Sequence, residues 1–132
     1  GEERDLEKSH VITDFINKAK HTRLINMLSD GSESRQFLHA QDCCECLLQL
    51  SLIYDTLDKS KEYHITSFSW NTINEIAEEI SKNFENCKIE RAASKDDVQK
   101  DKKNEPDPYI LNFWKPKITI EDGIKDIIKK ME

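Results

Sequence analysis

The run Ser29-Asp30-Gly31-Ser32-Glu33-Ser34-Arg35-Gln36-Phe37-Leu38-His39-Ala40-Gln41-Asp42 holds a turn, an extended piece and the approach to a helix in one short stretch. Ser29-Asp30-Gly31-Ser32 carries the residue types that close tight turns, with glycine supplying backbone conformations other residues resist. Phe37 and Leu38 read as a brief extended segment. From Asp42 onward, Cys46, Leu47, Leu50, Ile53, Tyr54 and Leu57 recur at helical spacing, which predicts a helix over 42–57.

The flanks continue the alternation. Upstream, Leu24 to Leu28 has strand character, and Ser9 to His21 reads as an amphipathic helix. Ser9 is its expected N-cap, and Val11, Ile12, Phe15, Ile16 and Ala19 form its apolar stripe. Downstream, a charged turn at 58–62 leads to a predicted strand, Tyr63 to Thr66. Asn71 or Thr72 then caps a helix in which Glu75 stands at capping-box distance from Thr72, and Ile73, Ile76, Ala77 and Ile80 face inward. Cys87 to Ile89 is a further strand candidate, and Lys95 to Asp107 reads as a charged loop. Tyr109 to Trp114 reads as a short helix or turn. A last helix runs from Thr119 or Ile120 to Met131, with Ile124, Ile127 and Ile128 inward. Helices alternating with short strands define an α/β chain.

The 132 residues suit one domain with a modest core, and 36% hydrophobic with 35% charged residues fits a strongly solvated surface. A formal net charge of -6 argues against non-specific nucleic-acid binding, which needs a basic field to displace counterions. No apolar run reaches the roughly 20 residues of a membrane span. The charged start, Gly1-Glu2-Glu3-Arg4-Asp5, lacks the apolar core of a secretion signal. Three of the four cysteines, Cys43, Cys44 and Cys46, crowd into one helix, which suits reduced thiols in a cytoplasmic protein rather than a disulfide framework. A metal reading would use His39, Cys43 and Cys46, but no fourth ligand is evident and paired Cys-x-x-Cys elements are absent.

Several chemistries are excluded by residue identity. The three glycines, Gly1, Gly31 and Gly123, are too scattered for a dinucleotide-binding turn or a phosphate-cradling loop. Four positions after Tyr54, Tyr63 and Tyr109 stand Asp58, Ser67 and Phe113, so no Tyr-x-x-x-Lys pair exists for proton transfer to a substrate hydroxyl. No catalytic residue is assigned, and His10, His21, His39 and His64 are isolated.

Two stretches resemble one family. Ser9-His10-Val11-Ile12-Thr13-Asp14-Phe15-Ile16, leading through Ser29-Asp30-Gly31 to Arg35 and Asp42, is similar to the extended short-chain dehydrogenase/reductases, the NAD-dependent sugar-nucleotide epimerases and dehydratases. Tyr63-His64-Ile65-Thr66-Ser67, then Thr72-Ile73-Asn74-Glu75-Ile76-Ala77, and finally Trp114-Lys115-Pro116 through Gly123-Ile124 look like later blocks of that pattern, in family order. The resemblance implies the C-terminal, substrate-binding part of a Rossmann-type enzyme, an isomerase or lyase. Its dinucleotide-binding half, with NAD or NADP, would precede residue 1. The implied ligand is a nucleotide-diphosphate sugar. Arg35 matches the arginine that grips the diphosphate, Asn26 and Leu28 match positions lining the nucleoside, and Val11 and Ile12 match the stretch beside the base.

The chain departs from the pattern at Thr13, where proline is usual, at Ser29 for glycine, and at Gln36 for aspartate. Ser94 stands where a second cation is common, with Arg91 and Lys95 nearby. The Tyr63–Thr66 run, without neighbouring strands, would invite pairing, so a homodimer stays open. A regulatory domain of the same descent is the alternative. The isolated chain is expected not to bind NAD(H), and calorimetry showing micromolar binding would count against that.

Overall fold

The computed structural model describes residues 10–94 and 104–132. Helix α1, Val11–Thr22, is followed by strand β1, Leu24–Asn26, and strand β2, Ser34–Gln36. Helix α2, Ala40–Leu52, leads through a 3-10 turn at Tyr54–Thr56 to strand β3, Trp70–Thr72, and directly into helix α3, Ile73–Ser81. Strand β4, Lys88–Glu90, a 3-10 turn at Pro108–Asn112 and helix α4, Ile120–Lys130, complete the α/β chain.

The helix ends are written in their capping residues. Thr72 accepts from Glu75 N at 3.1 Å while the Glu75 carboxylate accepts from Thr72 N, also at 3.1 Å, which closes the expected capping box. Thr119 accepts from Asp122 N at 3.2 Å and starts α4. Its acidic first turn and basic last turn suit the helix dipole. At α1 the helix starts at Val11, with His10 as an N-cap that offers no side-chain bond. Ser9, the expected cap, lies outside the described residues, as do positions 95–103 of the expected loop.

The strands form two separate pairs. β1 and β4 run parallel, with Ile25 opposite Ile89, and β2 and β3 run antiparallel, with Arg35 opposite Asn71. Phe15, Ile16, Ala19, Ile25, Met27, Ile73, Ile76, Ala77, Ile80 and Ile124 make the main core, where α1, α3 and α4 meet β1. A second cluster gathers Leu38, Leu50, Tyr63, Ile65 and Phe68 around Cys46, Ile110 and Trp114. Asp42, 1% exposed, joins the two. One of its carboxylate oxygens accepts the Lys117 and Ile118 amides at 3.0 and 2.9 Å, holding the segment before α4 against α2.

Three expectations need correction. Tyr63–Thr66 is not a strand: among the described residues nothing ladders with it, and Tyr63 and Ile65 instead pack on the second cluster. The strand in this region is Trp70–Thr72. The extended segment after the turn is Ser34–Gln36 rather than Phe37 and Leu38. Helix α2 stops at Leu52, not Leu57. Ser51 and Thr56 hydroxyls bond the Leu48 and Ile53 carbonyls at 2.6 and 2.7 Å, competing with helical bonding, and Ile53 leaves helical geometry at φ -112.

The turn before β2 depends on Gly31, buried at φ 74. A Cβ there would run into Met27 Cε and reach 2.5 Å from Asn74 Oδ1. Gly31→Ala is expected to cost about 1–3 kcal/mol for the left-handed backbone alone. Urea unfolding with an unchanged slope and a lowered midpoint is the measurement.

Candidate functional site

β1 doubles back from α1 across Arg23, a left-handed C-cap at φ 56. Its last residue, Asn26, is thereby laid beside the middle of the helix. Lys18 Nζ donates to the Asn26 carbonyl at 3.1 Å while also pairing with Asp14 at 2.7 Å. Leu28, two positions on, is 91% exposed. Val11 and Ile12, in the first turn of α1, are half-buried against the main core.

From Leu28 the chain enters a turn held on three sides. Gly31 N donates to Ser29 Oγ at 3.1 Å, and Ser29 donates to Glu33 Oε1 at 2.7 Å. The exit of β4 adds Ala92 N to Ser29 O at 3.0 Å and receives Asp30 N on Ser94 O at 2.8 Å. The start of α3 adds Ile73 N to Glu33 O and Asn74 N to Gly31 O, both 3.0 Å. Arg35 follows, half-buried in the centre of β2. A diphosphate needs fixed cationic donors, and a guanidinium on a laddered strand provides one in planar fork geometry.

Two of the other positions singled out by the departures are engaged. Gln36 Oε1 accepts the Thr66 hydroxyl at 2.5 Å. Arg91 donates from Nε to Asn74 Oδ1 at 2.6 Å and from a terminal nitrogen to Glu78 at 3.2 Å. Lys95 lies outside the described residues. Sequence reasoning gave Asn74 no role, because its bonds reach the turn only through tertiary folding.

A groove of about 780 Å³ runs between α1, the link from β2 to α2, and α4. Ile12 lines it opposite Phe37, but Val11, Asn26, Leu28 and Arg35 do not, so the five expected positions do not share one cavity. At its polar end His39 caps α2 by accepting Gln41 N on Nδ1 at 3.1 Å. Its Nε2–H then meets Asp126 Oδ2 at 3.0 Å, and Asp126 also binds Lys130 Nζ at 2.7 Å. His39 is therefore committed to the α2–α4 contact. Among the described residues no group of His, Cys, Asp and Glu could hold a metal ion. All four cysteines are free, and burial, then neighbouring Cys43, pushes the Cys46 thiol up. No described helix is long and apolar enough to cross a membrane.

Comparison with known proteins decides the family. The sequence profile described as "NAD dependent epimerase/dehydratase family" matches residues 1–66, half of the chain. The chain belongs to the NAD-dependent epimerase/dehydratase family. No curated protein sequence matches it. Among solved structures, Pal from Bacillus thuringiensis is 23% identical with a TM-score of 0.72, over 95% of this chain and 41% of that one. The Helicobacter pylori ADP-L-glycero-D-manno-heptose-6-epimerase is 19% identical with a TM-score of 0.75, over 95% of this chain and 38% of that one. The Bordetella bronchiseptica enzyme WbmF, solved with NADH, is 18% identical with a TM-score of 0.72, over 91% of this chain and 35% of that one. At these identities the structures establish a shared α/β fold over part of those Rossmann-type chains. The chain spans between 35% and 41% of the length of these family members' solved chains.

The Lys130 hydrogen bond, opposed by desolvation and then aided by the bond from His39, holds the Asp126 carboxyl below its ordinary 3.8. A depressed carboxyl contributes stability that is complete above the unfolded value and is lost as pH falls through the folded one. Acidification from about pH 5 to about pH 2 is thus expected to destabilise wild type more than Asp126→Asn. Superimposable pH–stability curves for the two would exclude the contribution.

Proposed function

We propose that this chain is the substrate-binding, C-terminal region of an NAD(P)-dependent sugar-nucleotide epimerase or dehydratase. A preceding dinucleotide-binding half, outside this chain, would carry NAD or NADP and the hydride chemistry. The residues present do not fit the dinucleotide themselves. Gly31 closes a turn and Gly123 lies in α4 against His39, so no glycine cluster lets the backbone approach a pyrophosphate.

The observation that carries this reading is the delivery of Arg35. A left-handed glycine turn, braced by α3 and the exit of β4, leads straight into the laddered strand that holds it. In the proposed complex Arg35 grips the diphosphate of a nucleotide sugar. Asn26 and Leu28 flank the nucleoside, and Val11 and Ile12 present an apolar surface beside the base.

Two further features support a partner half. Helix α2 turns Leu47, Leu48 and Leu52 outward at 53%, 61% and 77% exposure. The Tyr63–Thr66 run beside it has no ladder partner among the described residues. Together they are an apolar helix face and an unladdered segment of the kind a partner half would cover.

A second reading, a regulatory domain of the same descent, is favoured by the engagement of Gln36 by Thr66 and of Arg91 by Asn74 and Glu78. The coding sequence upstream of Gly1 discriminates. An intact glycine fingerprint with Tyr-x-x-x-Lys supports the enzyme, and their absence supports the regulator.

In the full-length polypeptide, Arg35→Ala is expected to weaken nucleotide-sugar binding 10- to 100-fold, roughly the 1.5–3 kcal/mol of a charge-assisted hydrogen bond. Cofactor binding should stay unchanged. Arg35→Lys should recover only part, since an ammonium cannot reproduce the planar fork. Titration calorimetry giving equal substrate dissociation constants for wild type and Arg35→Ala would remove the residue from the site.

A further inference from the structure

Asn74, the second residue of α3, uses both its side-chain nitrogen and its side-chain oxygen in hydrogen bonds. Its Nδ2 donates to Asp30 O at 2.9 Å, while its backbone N–H donates to Gly31 O at 3.0 Å. One residue thus holds two consecutive carbonyls of the turn. Its Oδ1 accepts from Arg91 Nε at 2.6 Å, which fixes the amide's orientation, because the reversed amide would set donor against donor and acceptor against acceptor. The side chain lies on the bare α-carbon of Gly31, where a Cβ would come within 2.5 Å of Oδ1.

Arg91 lies just beyond β4, in the same exit that brackets the turn through Ala92 and Ser94. The Arg91–Asn74 bond therefore closes a ring of contacts from the β4 exit to the turn, to α3 and back. β1, ending at Asn26, enters that ring by way of Leu28, and β2 leaves it carrying Arg35. The geometry points to Asn74, locked by Arg91, as the positioning residue that sets the spacing between Arg35 and the β1 exit. On the functional reading above, that spacing is the one between phosphate grip and nucleoside. Arg91, beside the place of the missing second cation, acts through Asn74 rather than on the ligand.

The test uses amide hydrogen exchange on the ligand-free chain and titration with inorganic pyrophosphate, the portion common to nucleoside diphosphates. Asn74→Ala is expected to speed exchange at Asp30, Ala92 and Arg35 and to weaken pyrophosphate binding, each about fivefold, as loss of a hydrogen bond of about 1 kcal/mol predicts. Asn74→Asp keeps the acceptor for Arg91 and loses the donor to Asp30, so it should fall between. Lys82→Ala, which loses a hydrogen bond to Glu79 and none within the ring, should change neither readout.

Unchanged exchange in Asn74→Ala overturns the proposal whether or not pyrophosphate binds. Faster exchange with undiminished pyrophosphate affinity makes Asn74 structural only and also overturns it. Should pyrophosphate fail to bind wild type, or bind Arg35→Ala equally well, the functional reading falls, and exchange at Arg35 alone decides whether Asn74 holds that strand. Should Asn74→Ala not fold, exposed Arg91→Ala tests the same ring and is expected to speed exchange at the same amides.

Discussion

The pair of backbone hydrogen bonds accepted by Asp42 holds the two apolar clusters to each other. Its helix belongs to the second cluster through Cys46, and the strap it grips, Lys117 and Ile118, leads into α4, which belongs to the main core through Ile124. A carboxylate so buried is tolerable because its partners are amide donors and because it stands in the first turn of α2, where the helix favours negative charge. Substitution by an apolar residue would strip two part-buried amides of their acceptor. The same strap sets where Thr119 begins α4, and so where Gly123 meets His39 along the groove.

The helices were legible because their information is local. Thr72 with Glu75, Thr119, and the spacing of Ile73, Ile76, Ala77 and Ile80 each specify a helix face or end without reference to the rest of the molecule. The strands were harder, since a strand exists only with its partner. Tyr63–Thr66 has the composition of a strand, yet among the described residues no ladder forms on it. Polar Ser34-Arg35-Gln36 lacks apolar alternation, yet it ladders with Trp70–Thr72 because the turn and α3 bring the two together. The apolar spacing continued past Leu52 through Ile53 and Leu57, which are partly buried, yet the helix itself ends at Leu52.

The candidate site was legible to a different degree. Arg35 and the Asp30–Gly31 turn stand out as motif positions, and the turn's left-handed glycine follows from its chemistry. Nothing local marks Asn74, whose neighbours suggest only an ordinary residue on the first turn of a helix. Its importance lies in contacts 44 and 17 positions away in the chain, to Asp30 and Arg91. Arg91, noted in the sequence only as a cation near Ser94, is turned by the fold to Asn74 and Glu78.

The β2–β3 ladder has a topological consequence. Everything from Phe37 to Ser69 leaves the main core through β2 and returns through β3, so this antiparallel pair closes a long loop that contains α2. β1 and β4 close a second, wider one around it. Both pairings join residues distant in the chain, and the entropy of closing each loop must be met before its contacts form. Folding should therefore be limited by these nested closures rather than by the quickly formed helices. The outer end of α2, with Leu47, Leu48 and Leu52 in solvent, should open locally while the loop's neck stays shut.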